Sequence, residues 1–207
     1  SDGLWEVRGG PDVRLGKWQL LAVCFVVLVA LDQWTKYLAV ERLTALFTRV
    51  GAETTFEKVA QFYKARHLEG LATAPYIVHP AWWRMSYAEN PGAAFSMFRN
   101  LSPDTRNWFF TAVIVAAVIF IITTYRKARE DQRLLQLALA AVLSGAIGNF
   151  IDRLARHYVI DFIEWHWWNR PDIAWPTFNV ADSLIVVGVA LLILHPGPAK
   201  ERAPASA

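Results

Sequence analysis

Two acids stand where acids are costly. Asp182 opens the run Ser183-Leu-Ile-Val-Val-Gly-Val-Ala-Leu-Leu-Ile-Leu194, and Asp161 lies in Tyr158-Val-Ile-Asp-Phe-Ile163. A carboxylate at membrane depth needs partners or a job. Two carboxylates in one low-dielectric region can share a proton, one staying acidic while the other stays charged at the same pH. That is the chemistry of an aspartyl protease. Read singly, Asp182 is equally an N-terminal helix acid favoured by the macrodipole, and Asp161 a loop acid.

Other polar residues lie close to apolar runs. Asp32 and Lys36 are four residues apart on one helical face and can pair. They read either as a structural ion pair, the lysine stem reaching toward water, or as a substrate contact. In Ser144-Gly-Ala-Ile-Gly-Asn-Phe-Ile-Asp-Arg-Leu154, Gly145 and Gly148 make a thin face for close helix packing. Asn149, Asp152 and Arg153 follow, and the last two fit either an ion-pair network at a helix end or a direct catalytic role. Asn149 and Asn179 are placed to orient the two acids. Asn90 can hydrogen-bond a peptide backbone, although most Asn-Pro-Gly sequences are only turns. His157 and His166 flank Asp161 at a spacing that fits no helical metal-ligand pattern, so neither metal nor cofactor is expected. Ser96, Ser144 and Ser183 have no base or strained-turn motif around them.

These residues must be held by membrane-spanning elements. The 207-residue chain is 55% hydrophobic, with ten Trp and a net charge of +3. A soluble domain is less apolar, and Trp favours membrane–water interfaces. Basic residues cluster at the ends of apolar runs, which excludes a nucleic-acid binder and points to membrane lipids as the surroundings. Cys24 is a lone, packed hydrophobe. Four stretches approach the roughly 20 apolar residues that cross a bilayer: about 18–40, 108–125, 134–151 and 177–195. The first lacks a small-residue cleavage site, so no cleavable leader is expected. The opening Ser reads as a processed or engineered start. Arg8, Arg14 and Lys17, the group Arg126, Lys127, Arg129 and Arg133, and Lys200 with Arg202 then fall on one side. Both termini are therefore expected in the cytoplasm, with 41–107 and 152–176 outside and 199–207 a flexible tail. The whole reads as one mainly α membrane-embedded domain.

Within 41–107, residues 52–66 place Phe56, Val59, Ala60 and Tyr63 at helical spacing. This predicts a short amphipathic helix, either packed or lying on the membrane. Tyr76-Ile-Val-His79 and Trp82-Trp-Arg-Met-Ser-Tyr87 predict a small sheet, with a turn at Pro91-Gly92. Trp165, Trp167, Trp168 and Trp175 read as outer-interface anchors.

The blocks Asp32-Gln-Trp-Thr-Lys36, Glu89-Asn-Pro-Gly-Ala-Ala-Phe-Ser96, Gly145-Ala-Ile-Gly-Asn-Phe-Ile-Asp-Arg-Leu154, Val159-Ile-Asp-Phe162 and Phe178-Asn-Val-Ala-Asp-Ser183, in this order, resemble the bacterial lipoprotein signal peptidases (signal peptidase II). The resemblance covers about residues 17–195. It implies an intramembrane aspartyl endopeptidase of the bacterial inner membrane. Such an enzyme removes the signal peptide of a lipid-modified prolipoprotein, cutting N-terminal to its diacylglyceryl-bearing Cys. It implies Asp161 and Asp182 as the catalytic pair, and Asp32, Lys36, Asn90, Gly92, Asn149, Asp152, Arg153, Asn179 and Ala181 as its support. It also implies four spans, an outer β-cradle and an adjoining outer helix. The stretch between Glu41 and His79 is longer than the family's. The competing readings are a proton or ion pathway through a four-helix bundle, and a lipid-binding scaffold whose acids only cap helices.

Overall fold

The computed structural model describes residues 15–92 and 102–194. Among these are helices α1 (Lys17–Leu43), α2 (Leu46–Val50), α3 (Thr55–Lys64), α4 (Pro103–Lys127), α5 (Arg133–Arg156) and α6 (Val180–Leu194). The strands are β1 (Tyr76–His79), β2 (Trp83–Asn90), β3 (Val159–Trp167) and β4 (Arg170–Ala174). The chain is mainly helical with a small antiparallel sheet. Helices α1, α4 and α5 are long and apolar enough to cross a membrane, whereas α6 is shorter, at 15 residues. The expected tail 199–207, and residues 93–96 of the Glu89–Ser96 block, lie outside the described residues.

Helix α5 is the hub. Added Cβ atoms at Gly145 and Gly188 would run into backbone carbonyls, of Ala181 and Ala138 respectively, so these glycines set how closely α5 and α6 approach. The expectation of a thin helix face at Gly145 and Gly148 holds. The helices run past their predicted ends: α1 to Leu43, α5 to Arg156, and α4 from Pro103. Ser102 caps α4 by accepting the Thr105 N–H at 3.2 Å, and Pro103 fits the first turn, so the helix starts before its apolar run.

The basic ends expected to share a side do so where the structure describes them. Lys17 Nζ donates to the carbonyls of Arg126 (3.0 Å) and Ala128 (2.7 Å), and Arg133 donates to the Leu15 carbonyl at 2.7 Å.

The sheet, in the order β1-β2-β3-β4, lies at the opposite end and is antiparallel throughout. The β1–β2 hairpin matches expectation. The β3–β4 hairpin does not: Asp161 sits in a buried strand, not a loop, because β3 docks on α5 and the core. His157, left-handed at φ 68°, closes α5 and turns the chain into β3. One core cluster joins α1, the α2–α3 segment and the sheet, through Phe47, Phe62, Tyr87, Ile160 and Phe162. The other, around Leu21, Tyr125 and Leu139, fills the bundle.

Candidate active site

The site is built where β3, the end of α5 and the start of α6 converge. Phe178 pairs with β3: its N–H donates to Ile163 O (3.0 Å), and its carbonyl accepts from Phe162 and Ile163. This stitch sets Asn179 beside Asp161. Asn179 then opens α6 by reciprocal capping. Its Oδ1 accepts the Asp182 N–H at 3.0 Å, and Asp182 Oδ2 accepts the Asn179 N–H at 3.2 Å. The side-chain amide of Asn179 also donates to Asp161 Oδ1 (2.6 Å), Asn149 Oδ1 (3.1 Å) and Ile160 O (3.2 Å). Both carboxylates are therefore bonded to one residue.

Each acid has a second amide partner. Asn90, at the end of β2, donates to Asp161 Oδ2 at 3.0 Å, and Asn149 donates to Asp182 Oδ1 at 2.8 Å. The β2–β3 register shifts between Met85 and Ala88, and Ala88 is the residue opposite Asp161. A bulge at that point re-aims side chains. Gly92, at φ 130°, adopts a backbone conformation that glycine favours, and its N–H donates to Asn90 Oδ1 at 3.1 Å, fixing the amide's orientation. Asp161 is 1% exposed. Burial, and next the charge of Asp182, push its carboxyl from an ordinary 3.8 up to about 7.

Behind the acids lies a fully buried ionic network. Lys36 Nζ sits 2.9 Å from each of Asp32 Oδ2, Asp152 Oδ2 and Asn149 Oδ1. Its orientation of Asn149 reaches Asp182 through a single amide. Lys36, Asp32 and Asp152 are all 0% exposed, so the lysine does not extend to water. With three acceptors available inside, there is nothing for the ammonium to gain by leaving. Asp32 Oδ1 accepts the Ala181 N–H at 3.1 Å, and a Cβ on Gly148 would lie 2.5 Å from Asp32 Oδ2. The ion-pair reading of Asp32 and Lys36 thus fits this geometry, in which they lock α1, α5 and α6 together.

Asp152 belongs to the same network. It accepts from Arg156 (2.8 Å) and from the Ile160 N–H (3.2 Å), the residue before Asp161. Arg153 makes other contacts: its Nη1 donates to Asn149 O at 3.3 Å, its guanidinium lies 4.7 Å over the Phe110 ring, and its buried Nε has no hydrogen-bond partner among the described residues.

Gln33 and Arg156 complete the network and were not singled out by the sequence. Gln33 donates to Asp32, Gly148 O and Asp152, and Arg156 donates to Phe62 O at 2.8 and 3.1 Å. The available signals were the place of Gln33 inside Asp32–Lys36 and the four-residue step from Asp152 to Arg156. An apolar groove of about 620 Å³ runs alongside, between α1 and the sheet, with Leu38, Leu43, Met85 and Phe162 in its wall.

Comparison with known proteins gives the chain a family. The family Signal peptidase (SPase) II matches residues 24–196. The chain is 66% identical to a lipoprotein signal peptidase of Anaeromyxobacter sp. (strain Fw109-5) over 92% of this chain and 90% of that one. It is 46% identical to the Geobacter metallireducens lipoprotein signal peptidase over 62% of this chain and 75% of the other. A bacterial membrane enzyme solved by the in meso method at 2.3 Å resolution superposes with a TM-score of 0.58 at 25% identity. That match covers 84% of this chain and 85% of the other. The chain belongs to the signal peptidase II family.

Proposed function

We propose that the chain is an aspartyl endopeptidase of the bacterial inner membrane. It removes the signal peptide of diacylglyceryl-modified prolipoproteins on the N-terminal side of the lipidated Cys. The observation that carries the reading is the bonding of Asp161 and Asp182 to one residue, Asn179, in a largely buried polar cluster at the sheet end of the bundle. Below about pH 7, Asp161 holds the proton, since burial and the neighbouring charge disfavour its ionised form. Asp182, fixed by Asn149 and the α6 cap, takes a proton from a water that attacks the scissile carbonyl. Asp161 donates to the carbonyl oxygen and then to the leaving amine. Arg153, whose Nε has no hydrogen-bond partner among the described residues, offers its guanidinium to the developing oxyanion. Asn90 and Gly92 hold Asp161 and line the path of the peptide. Asp32, Lys36, Asp152 and Ala181 keep the helices in register. The groove beside β3 gives the substrate's acyl chains an apolar wall, so remote binding positions the reacting bond.

In this reading α6 is the fourth span, and the sheet is a cradle outside the membrane with both termini inside. The whole chain is one membrane-embedded domain. Exposed Trp165, Trp167, Trp168 and Trp175 mark its outer interface. The apolar stretches 18–31, 107–125, 134–151 and 183–194 contain no Asp, Glu, Lys or Arg, so an ion relay has no stepping stones across the inner part of the bilayer. The test is a gel-mobility assay with lipidated and unlipidated precursor. Cleavage of the lipidated form alone, lost in Asp161→Asn and Asp182→Asn, is the expected result. Binding without cleavage by the unaltered protein would instead favour a lipid-binding scaffold.

A further inference from the structure

Helix α3 lies in the stretch that exceeds the family's length, and the site has no use for its outward face. Its start is fixed by reciprocal capping: Thr54 Oγ1 accepts the Glu57 N–H at 3.2 Å, and Glu57 Oε2 accepts the Thr54 N–H at 3.0 Å. Its roll about its own axis is fixed as well. Phe62 is buried, edge-on to Tyr37 with ring centroids 5.7 Å apart. The Arg156 guanidinium stacks 4.1 Å above the Phe62 ring and lies 5.4 Å from that of Tyr63, and Arg156 also binds the Phe62 carbonyl.

With Phe62 inward, the face expected from the sequence to be apolar is held outward. Phe56 is 84% exposed, and Val59 and Tyr63, at helical spacing from it, are exposed too. Lys64 and Arg66 follow directly, both exposed. Tyr63 meets Arg156 and Gln33 with one edge, while Phe56 stands open among the described residues. The face is continuous with the flank of α1. The Tyr63 hydroxyl donates to Gln33 Oε1 at 3.4 Å, and the next residue, Trp34, is 59% exposed. Trp34 ends an exposed stripe of Val23, Val27 and Leu31 along a helix long and apolar enough to span a bilayer.

We infer that α3 lies in the plane of the membrane interface at the sheet end of the bundle. Phe56, Val59 and the Tyr63 ring sit in the acyl–headgroup boundary, with Lys64 and Arg66 among the lipid phosphates. Its occupant is lipid, not a second copy or another protein, because the face continues a surface that lipid already covers. The consequence is mechanical. Phe62 O, Arg156, Asp152 and the Ile160 N–H form an unbroken hydrogen-bonded path from this helix to the residue preceding Asp161, so the helix ties the height of β3 to the bilayer surface. The inference requires a membrane protein but not the proposed cleavage.

The test uses the full chain with Cys24→Ser, spin-labelled singly after Phe56→Cys, Val59→Cys or Glu53→Cys. Each variant is reconstituted in phosphatidylethanolamine–phosphatidylglycerol vesicles. Collision rates with molecular oxygen and with a water-soluble nickel chelate report depth. Labels at 56 and 59 are expected to be several-fold more accessible to oxygen and less to nickel than the label at 53, at every protein-to-lipid ratio. Equal accessibility of all three to nickel would overturn the inference. So would protection of 56 and 59 that appears only at high protein density, which would assign the face to a second copy.

Discussion

Replacing Asp161 by Asn is expected to stabilise the fold while abolishing its chemistry. A carboxyl whose folded value stands above its unfolded one takes up a proton on folding. Its favourable contribution is therefore complete below about pH 4 and is lost as pH rises from 3.8 to about 7. That span corresponds to about 4 kcal/mol as an upper figure at pH 8. Asn removes the charge. It also turns an amide toward either Asn179 or Asn90, both of which now donate to the carboxylate, losing one bond at about 1–3 kcal/mol. The net effect at pH 8 is a gain of about 1–3 kcal/mol, or several degrees in a chain of this size. At pH 4, where the native side chain is already neutral, the gain disappears or reverses. The assay is the thermal midpoint in detergent micelles at pH 4 and pH 8, beside cleavage of a lipidated precursor, which should fall by about 10²–10⁴ or more. A midpoint difference independent of pH would refute the claim that burial and Asp182 hold a proton on Asp161.

The pH profile of kcat/KM should fall as pH rises through about 7, when the proton leaves Asp161, and a flat alkaline limb to pH 9 would contradict this. Asp182→Asn and Asp182→Ala should both be inactive, but only Ala loses the cap on the Asn179 N–H entirely, so it should melt lower by about 1 kcal/mol. Lys36→Met leaves Asp32 and Asp152 without their shared cation and should cost about 3–5 kcal/mol by chemical denaturation, where a loss under 1 would mean water reaches the pair. Gly148→Ala drives a methyl into Asp32 and should cost about 1–3 kcal/mol, measured the same way. Leu38→Trp, narrowing the groove beside β3, should raise KM for a lipidated precursor while leaving the fold's melting unchanged.

What was legible in the chain was whatever composition and local spacing encode. The apolar runs marked the helices, and the glycines at 145 and 148 marked the face that meets α6 and Asp32 of α1. The pairing of Asp32 with Lys36 followed from helical periodicity. Strand β3 was hidden because its first four residues are all buried, Asp161 included, so the alternation that announces a half-exposed strand is missing until Ile163. The partner of Asp152 was equally hidden. Adjacency suggests Arg153, yet α5 continues to Arg156, and four residues place that side chain, not its neighbour, over the same face. The inward turn of Lys36 depends on Asp152 and Asn149, more than 110 residues away. No local rule contains such a contact.

The shared proton is tested most directly by infrared difference spectroscopy of the carboxyl C=O stretch in the reconstituted protein. At pH 6 a protonated carboxyl band from a buried acid should be present, vanish on titration through about pH 7, and be missing in Asp161→Asn. A band that survives Asp161→Asn unchanged, or its absence from the unaltered protein at pH 6, would contradict the assignment of Asp161 as the acid of the pair.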